Sequence, residues 1–168
     1  NQIVVVPGAN MLVTHAQVNA ASNLIERAGV VMLQLEIPME TVIATLRAAR
    51  RAGAVVILDP APAQPLPEEA YRLTDYMVPN ESEASSITGV PVRDVASAGD
   101  AARNLRERGV RVPIVKLGAK GAVMLDGQEA VLIPPFEVRV VDTTAAGDAF
   151  AGALAAAFCF VIRPPGKR

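Results

Sequence analysis

The chain has 168 residues, 51% of them hydrophobic, with a mean hydropathy of +0.32 and a formal net charge of −1. That length suits one domain with its own core, and the apolar surplus is largely alanine and valine, with no run reaching the roughly 18 residues that mark a membrane span. A near-neutral charge without a basic stripe, and 4% aromatic residues, argue against nucleic-acid binding, while a single cysteine, Cys159, excludes an internal disulfide and suits a reducing cytoplasm.

Apolar runs alternate with segments of helical period, which predicts βαβ units: an α/β fold with a mostly parallel sheet flanked by helices on both faces. Residues 3–6 predict a strand ending at Pro7-Gly8. Thr14 is a good N-cap for a helix over 15–28, closed by Gly29. A strand over 30–35 follows. Pro38 suits a first helical position, and Val42, Ile43 and Leu46 share one face of that helix, leaving Arg47, Arg50 and Arg51 to a solvated side. Gly53 stops it, and 54–58 predicts the third strand. Residues 59–67 carry four prolines and form a loop. Next come a helix over 68–73, a strand over 76–78, a helix over 80–87 closed by Gly89, and a helix over 98–108 closed by Gly109. A strand over 113–117 leads to a hairpin of 121–125 and 129–133 turning at Asp126-Gly127. Residues 138–141 predict a last strand, and 149–162 a buried helix in which Cys159 is a small core residue. One domain is expected over 1–158. Residues 159–168 form an atypical basic tail in which Pro164-Pro165 cannot continue a helix. No secretory leader is visible.

The chemistry concentrates in Asp142-Thr143-Thr144-Ala145-Ala146-Gly147-Asp148-Ala149-Phe150. Small residues at 145–147 let backbone N–H groups approach a ligand, and the start of a helix presents unpaired donors that bind phosphate. Asp148 sets a carboxylate beside that cradle. It reads either as an acid favoured in a first helical turn or as a base for a hydroxyl that attacks the held phosphoryl group. Glu36, Asp59, Asn80, Leu117-Gly118 and Asp142 each follow a predicted strand, so they can converge beyond the carboxyl ends of the sheet, where open α/β folds bind ligands. Asn80 and Glu83 lie one helical turn apart. They read either as a capping box or as a pair holding magnesium through water. Gly118 and Gly121 allow a tight backbone turn near phosphates, or simply a hairpin exit. His15 reads as a surface residue. There is no G-x-x-x-x-G-K-[ST], no G-x-G-x-x-G after the first strand and no zinc-ligand spacing, which removes the P-loop, dinucleotide-dehydrogenase and zinc readings.

With the signature segment, Pro7-Gly8-Ala9-Asn10, Gln34-Leu35-Glu36, Asp59-Pro60-Ala61-Pro62, Asn80-Glu81-Ser82-Glu83 and Leu117-Gly118-Ala119-Lys120-Gly121 stand in order and register. Over residues 1 to about 158 the sequence resembles the ribokinase-like sugar kinase family, nearer its ribokinases than its fructokinases or adenosine kinases. The resemblance implies a Rossmann-type three-layer fold, here incomplete at both ends. It implies ATP-dependent phosphorylation of a sugar primary hydroxyl, D-ribose to D-ribose 5-phosphate being the leading pair, by a cytoplasmic enzyme. Asp148 would be the base, Ala145, Ala146 and Gly147 the anion hole, and Glu36, with Asp148, would bind the sugar. Asn80, Lys116, Leu117, Gly118, Ala119, Lys120, Gly121, Gly147 and Asp148 would bind ATP. Asn80 and Glu83 would hold Mg2+ through water, and Asp142 and Thr144 an activating K+. Partners would be sugar and ATP, with neither nucleic acid nor membrane, and with homodimerisation through a lid upstream of this sequence. Residue 1 aligns near the middle of the family's sequence, and the family's closing helices are missing after Phe158, so weak activity is expected of this chain alone. Another sugar or nucleoside kinase, a non-catalytic nucleotide-binding fragment and a degenerate product are the competing readings.

Overall fold

A computed structural model describes residues 6–160. The expected first strand lies outside that range except for Val6, as do Ile162 and most of the basic tail. Six strands form one sheet in chain order: β1 (Val30–Leu33), β2 (Val55–Leu58), β3 (Tyr76–Met77), β4 (Val112–Lys116), β5 (Ala122–Asp126) and β6 (Glu129–Ile133). The first three pairings are parallel and the last two antiparallel. The connections explain the change. Helix α3 (Met39–Ala52) joins β1 to β2, α4 (Glu68–Leu73) joins β2 to β3, and α5 (Glu81–Thr88) with α6 (Val95–Glu107) joins β3 to β4. A parallel pair requires such a crossover, whereas the short links after β4 and β5 permit only hairpins.

Register places the functional edge. Leu33 pairs with Leu58 and Leu58 with Met77, so β1, β2 and β3 end nearly level. Asn80 then bridges to Lys116 at the end of β4. Side chains alternate across the sheet, as strand geometry dictates. Val56, Leu58 and Met77 face Val42, Leu46 and Tyr71 of α3 and α4. Val115, Val123 and Leu125 face Ala98, Ala101 and Ala102 of α6. On the opposite face Ile57, Val78, Ile114 and Ala122 meet Ala151 and Ala155 of α7 (Ala146–Phe160). Phe158 tilts against Tyr76 there, with ring centroids 4.7 Å apart.

Several expectations change. The first helix is two, α1 (His15–Ala20) and α2 (Ser22–Arg27), divided where Ala21 adopts φ −90° and ψ 6°. Neither has a buried residue, so no continuous apolar seam holds them straight. The helix expected over 98–108 begins one turn earlier, capped by Asp94. Residues 138–141 are not a strand: the sheet ends at β6, and Pro134-Pro135, which lack N–H donors, carry the chain off its edge. Cys159 is exposed rather than core, because α7 buries only the stripe through Ala151 and Ala155. Arg47 and Arg50 are not merely solvated. Arg47 grips Glu69 at 2.6 and 2.7 Å, and Arg50 reaches the buried Asp75 at 3.0 Å.

Candidate active site

The loops at the carboxyl ends of β1 to β4 meet the N-terminus of α7. Thr143 O accepts the Ala146 N–H at 3.2 Å and Ala145 O accepts that of Ala149 at 2.9 Å. Among the described residues, the N–H groups of Ala145, Gly147 and Asp148 make no hydrogen bond, and they lie at the positive end of a helix of 15 residues. Ala145 holds φ 60°, the one described non-glycine residue in the left-handed region. That bend turns the chain from the exposed 141–145 segment into the helix.

Two cavities open on either side of this tip. One, of about 160 Å³, is lined by Gln34, Asp59, Asp148 and Ala151, among others. There Gln34 Nε2 donates to Asp148 Oδ1 at 3.0 Å. The other, of about 420 Å³, is lined by Asn80, Lys116, Gly118, Phe136, Gly147 and Phe150, among others. Asp59 and Lys116 form an ion pair between the two, Nζ to Oδ2 at 2.9 Å, with side chains only 7% and 15% exposed. A Cβ on Gly147 would lie 3.4 Å from Lys116 Nζ and 3.6 Å from Asp59 Oδ2, so the bare Cα of Gly147 faces the ion pair.

Asn80 and Glu83 form the capping box of α5. Asn80 Oδ1 accepts the Glu83 N–H at 2.9 Å, and Glu83 accepts the Asn80 N–H at 2.7 Å and its side-chain amide at 2.8 Å. Burial pushes the Glu83 carboxyl above the usual carboxylate range; the Asn80 N–H and Lys116 pull it down, and Asp59 pushes it further up. Asp142 stands differently. The N–H and hydroxyl of Thr144 both donate to its Oδ1 at 2.8 Å, and they hold this exposed carboxyl below its usual range.

The structure thus brings together Asp59, Asn80, Lys116, Gly118, Gly147 and Asp148, as strand order predicts. Asp148 and Asn80 line adjoining cavities rather than one. Glu36 is exposed two residues beyond Gln34 and lines neither cavity. Leu117 is a core side chain, 2% exposed, and contributes only its backbone to the loop, its N–H donating to Gly121 O at 2.8 Å. Lys120 turns away to Arg93 O. Gly121 is required for shape: φ is 91°, and a Cβ would come within 2.1 Å of Ile133 O. Sequence reasoning missed the Gln34 contact to Asp148 and the Asp59–Lys116 pair. The signal for both was faint, a polar residue directly after, or ending, a strand. No cluster of three His, Cys, Asp or Glu side chains able to hold a metal exists among the described residues. A divalent ion here would lean on water and on a nucleotide's phosphates, as magnesium does. The donor set of Asn80 and Glu83, both already hydrogen-bonded to each other, fits only that outer role.

The sheet and its rim define an α/β protein of the ribokinase-like fold, with unpaired amides at a helix tip beside a carboxylate. A family model described as pfkB family carbohydrate kinase matches residues 1–159, and the chain belongs to that family. It is 46% identical over 155 residues to a bifunctional ribokinase/ribose-5-phosphate isomerase A of Fructilactobacillus sanfranciscensis, covering 92% of this chain and 29% of that protein. It is 44% identical over 158 residues to the ribokinase of Mus musculus, covering 92% of this chain and 49% of the relative. Among solved structures, Arabidopsis thaliana ribokinase complexed with ribose and ATP superposes with a TM-score of 0.81 at 33% identity, over 94% of this chain and 52% of that one. The chain therefore spans about half the length of the single-function relatives.

Proposed function

We propose that this sequence carries the phosphoryl-transfer centre of an ATP-dependent sugar kinase that converts D-ribose to D-ribose 5-phosphate. The observation that carries the reading is the α7 tip, where unpaired amides and Asp148 stand between an acceptor-sized cavity and a larger one beside the Gly118 loop. Identity to ribokinases, one of them solved with ribose and ATP, supports the choice of both substrates.

In this reading Asp148 accepts the proton of the sugar's primary hydroxyl. The hydroxyl oxygen bonds to the γ-phosphorus as the bond to the β,γ-bridging oxygen breaks, leaving ADP. The N–H groups of Ala145, Gly147 and Asp148 stabilise the charge on the transferring group, with that of Ala146 in support once its turn contact loosens. The loop of residues 116–121 borders the phosphates of ATP. Glu36, exposed two residues beyond Gln34 on the same rim, takes part in sugar binding. When bound, Mg2+ neutralises phosphate charge, with Asn80 and Glu83 receiving its water shell. Asp142 and the Thr144 carbonyl suit a K+ that braces the tip, and pairing of copies is expected of the full-length protein.

Ribose-dependent ADP formation by the full-length protein carrying this sequence is the test, with Asp148→Asn as control. Turnover should fall by about 10²–10⁴-fold in the variant, the usual contribution of a positioned base. Unchanged turnover would remove Asp148 from the chemistry, and activity on another sugar but not on ribose would reassign the acceptor.

A further inference from the structure

The kinase reading gives Gln34 no role, yet among the described residues its side chain is the one hydrogen-bond partner of the Asp148 carboxylate. Its place is dictated from β1 outward. Leu33 and Leu35 both pack into the core beneath α3, so the alternation of an extended chain sends Gln34, like Met32, to the α7 face, where both line the smaller cavity. The backbone on either side is pinned. Leu33 O accepts the Asp59 N–H at 2.9 Å, and Leu35 donates to Ala61 O and accepts from the Gln64 side-chain amide, both at 2.8 Å. Gln34 therefore reaches toward α7 from a fixed stretch of chain. A carboxylate has no proton to give, so the amide must face it with its nitrogen, as in the 3.0 Å bond from Nε2 to Asp148 Oδ1.

That bond settles a competition. Asp148 is the third residue of α7, and an acid there can reach back to the free N–H of the residue before the helix, toward the positive end of the dipole. Base and amides would then occupy each other. With Oδ1 drawn to Gln34 instead, the N–H groups of Ala145, Gly147 and Asp148 stay unpaired, and Oδ2 makes no hydrogen bond among the described residues. We propose that Gln34 is a positioning residue for the transfer: it holds the Asp148 carboxylate off the helix tip, so that Oδ2 is left to take the proton and the amides are left to the phosphoryl group.

This inference rests on the kinase reading, and a double-mutant cycle on the full-length protein carrying this sequence separates the two. Single turnovers with saturating ribose and Mg-ATP, stopped by rapid quench, give the rate of the transfer step in the wild type, Gln34→Met, Asp148→Ala and the double variant. Thermal unfolding of each checks the fold. Gln34→Met keeps the length and loses the donor. It should slow transfer by about tenfold to hundredfold, the worth of a hydrogen bond to a charged group, with KM for ribose changing less than about twofold. On Asp148→Ala the same change should cost less than about twofold, because a residue that acts only through Asp148 has nothing left to position. Gln34→Glu, which sets a like charge against the carboxylate, should slow transfer at least as much as Gln34→Met. A loss of full size on Asp148→Ala, a raised KM at an unchanged transfer rate, or Gln34→Glu as fast as the wild type would overturn the assignment and leave the kinase reading standing. Asp148→Ala as fast as the wild type, or no ribose-dependent transfer by the wild type, would take down both.

Discussion

At the residue scale the instructive position is Ala145. An L-residue in the left-handed region costs about 1–2 kcal/mol, and Ala145 accepts it at φ 60° in the turn just before the unpaired amides of Gly147 and Asp148. Replacement tests whether the bend itself matters. Ala145→Gly removes the strain but adds backbone freedom to the unfolded chain, so urea denaturation should show a small gain of about 0.5 kcal/mol with nucleotide binding retained. Ala145→Val sets a β-branched side chain where it is a genuine outlier, and should cost about 2 kcal/mol and weaken nucleotide binding. Equal behaviour of Gly and Val would mean that the turn relaxes freely and is no part of the cradle. The contrast with Gly147 is useful. Gly147 is small because of what it faces, the Asp59–Lys116 pair, and Ala145 is small because of how its backbone bends.

At the element scale, helix starts decide where the rim residues stand, and their caps are chemical. Asp94 Oδ1 accepts the Ser97 N–H at 2.8 Å and its hydroxyl at 2.6 Å, fixing the first turn of α6, whose alanines fill the layer beneath β4 and β5. The Ser97 hydroxyl, then its N–H, hold the Asp94 carboxyl below its ordinary 3.8. A carboxyl with a depressed folded-state pKa stabilises the fold above its unfolded value and loses that contribution as pH falls through the folded one. Thermal melts of Asp94→Ala against wild type should therefore show a clear deficit near neutral pH. The deficit should begin to narrow below the ordinary 3.8, where the unfolded chain's carboxylate protonates, and close further as the folded carboxylate follows at lower pH. A deficit that is the same at about pH 3 and pH 7 would show that the cap works through shape and not charge. Asp94 also marks where the sequence was hard to read. Capping-box logic looks for Glu or Gln three residues on, and here Ser97 fills that place, so the helix was expected only from residue 98. The β-branched residues at 138, 140 and 141 misled in the opposite way, since a strand exists only where a partner edge exists. By contrast Gly53 and Gly89, at φ 70° and 75°, ended their helices as expected, because a left-handed cap is a local requirement that the sequence states outright. The rim was legible for a related reason: strand ends fix where loop residues emerge. Contacts across it, such as Gln34 to Asp148, depend on a separation of 114 residues and on how α7 lies, which no local pattern encodes.

At the scale of the whole molecule the two faces of the sheet are unequally built, and the site straddles them. On the face of α3 to α6, Val42, Leu46, Val56, Leu58, Leu105 and Val115 are each 0% exposed. On the other, α7 buries Ala151 and Ala155, but Val30, Val55, Tyr76 and Met124 are only partly covered, and Met32 is 43% exposed. The chain leading into α7 is barer still, with Phe136 92% and Val141 90% exposed. Asp59, Asn80 and Lys116 therefore stand on the firm layer, while Ala145 to Asp148 stand on the lightly anchored one. Local opening follows burial, so hydrogen exchange should divide the molecule along this line. Amides of β2, β4 and α6 should exchange only through global unfolding, and those of α7 roughly a hundredfold faster, through a sub-global opening cheaper by about 2.7 kcal/mol. Saturating Mg-ATP should slow α7 and the globally exchanging amides of β2 and α6 by a similar factor, because the sub-global and the global opening would both release a nucleotide bound at the α7 tip. Protection of α7 equal to that of β4 without ligand would mean that the helix is anchored by its own packing. Catalytic alignment would then be preset in the fold rather than completed by the nucleotide.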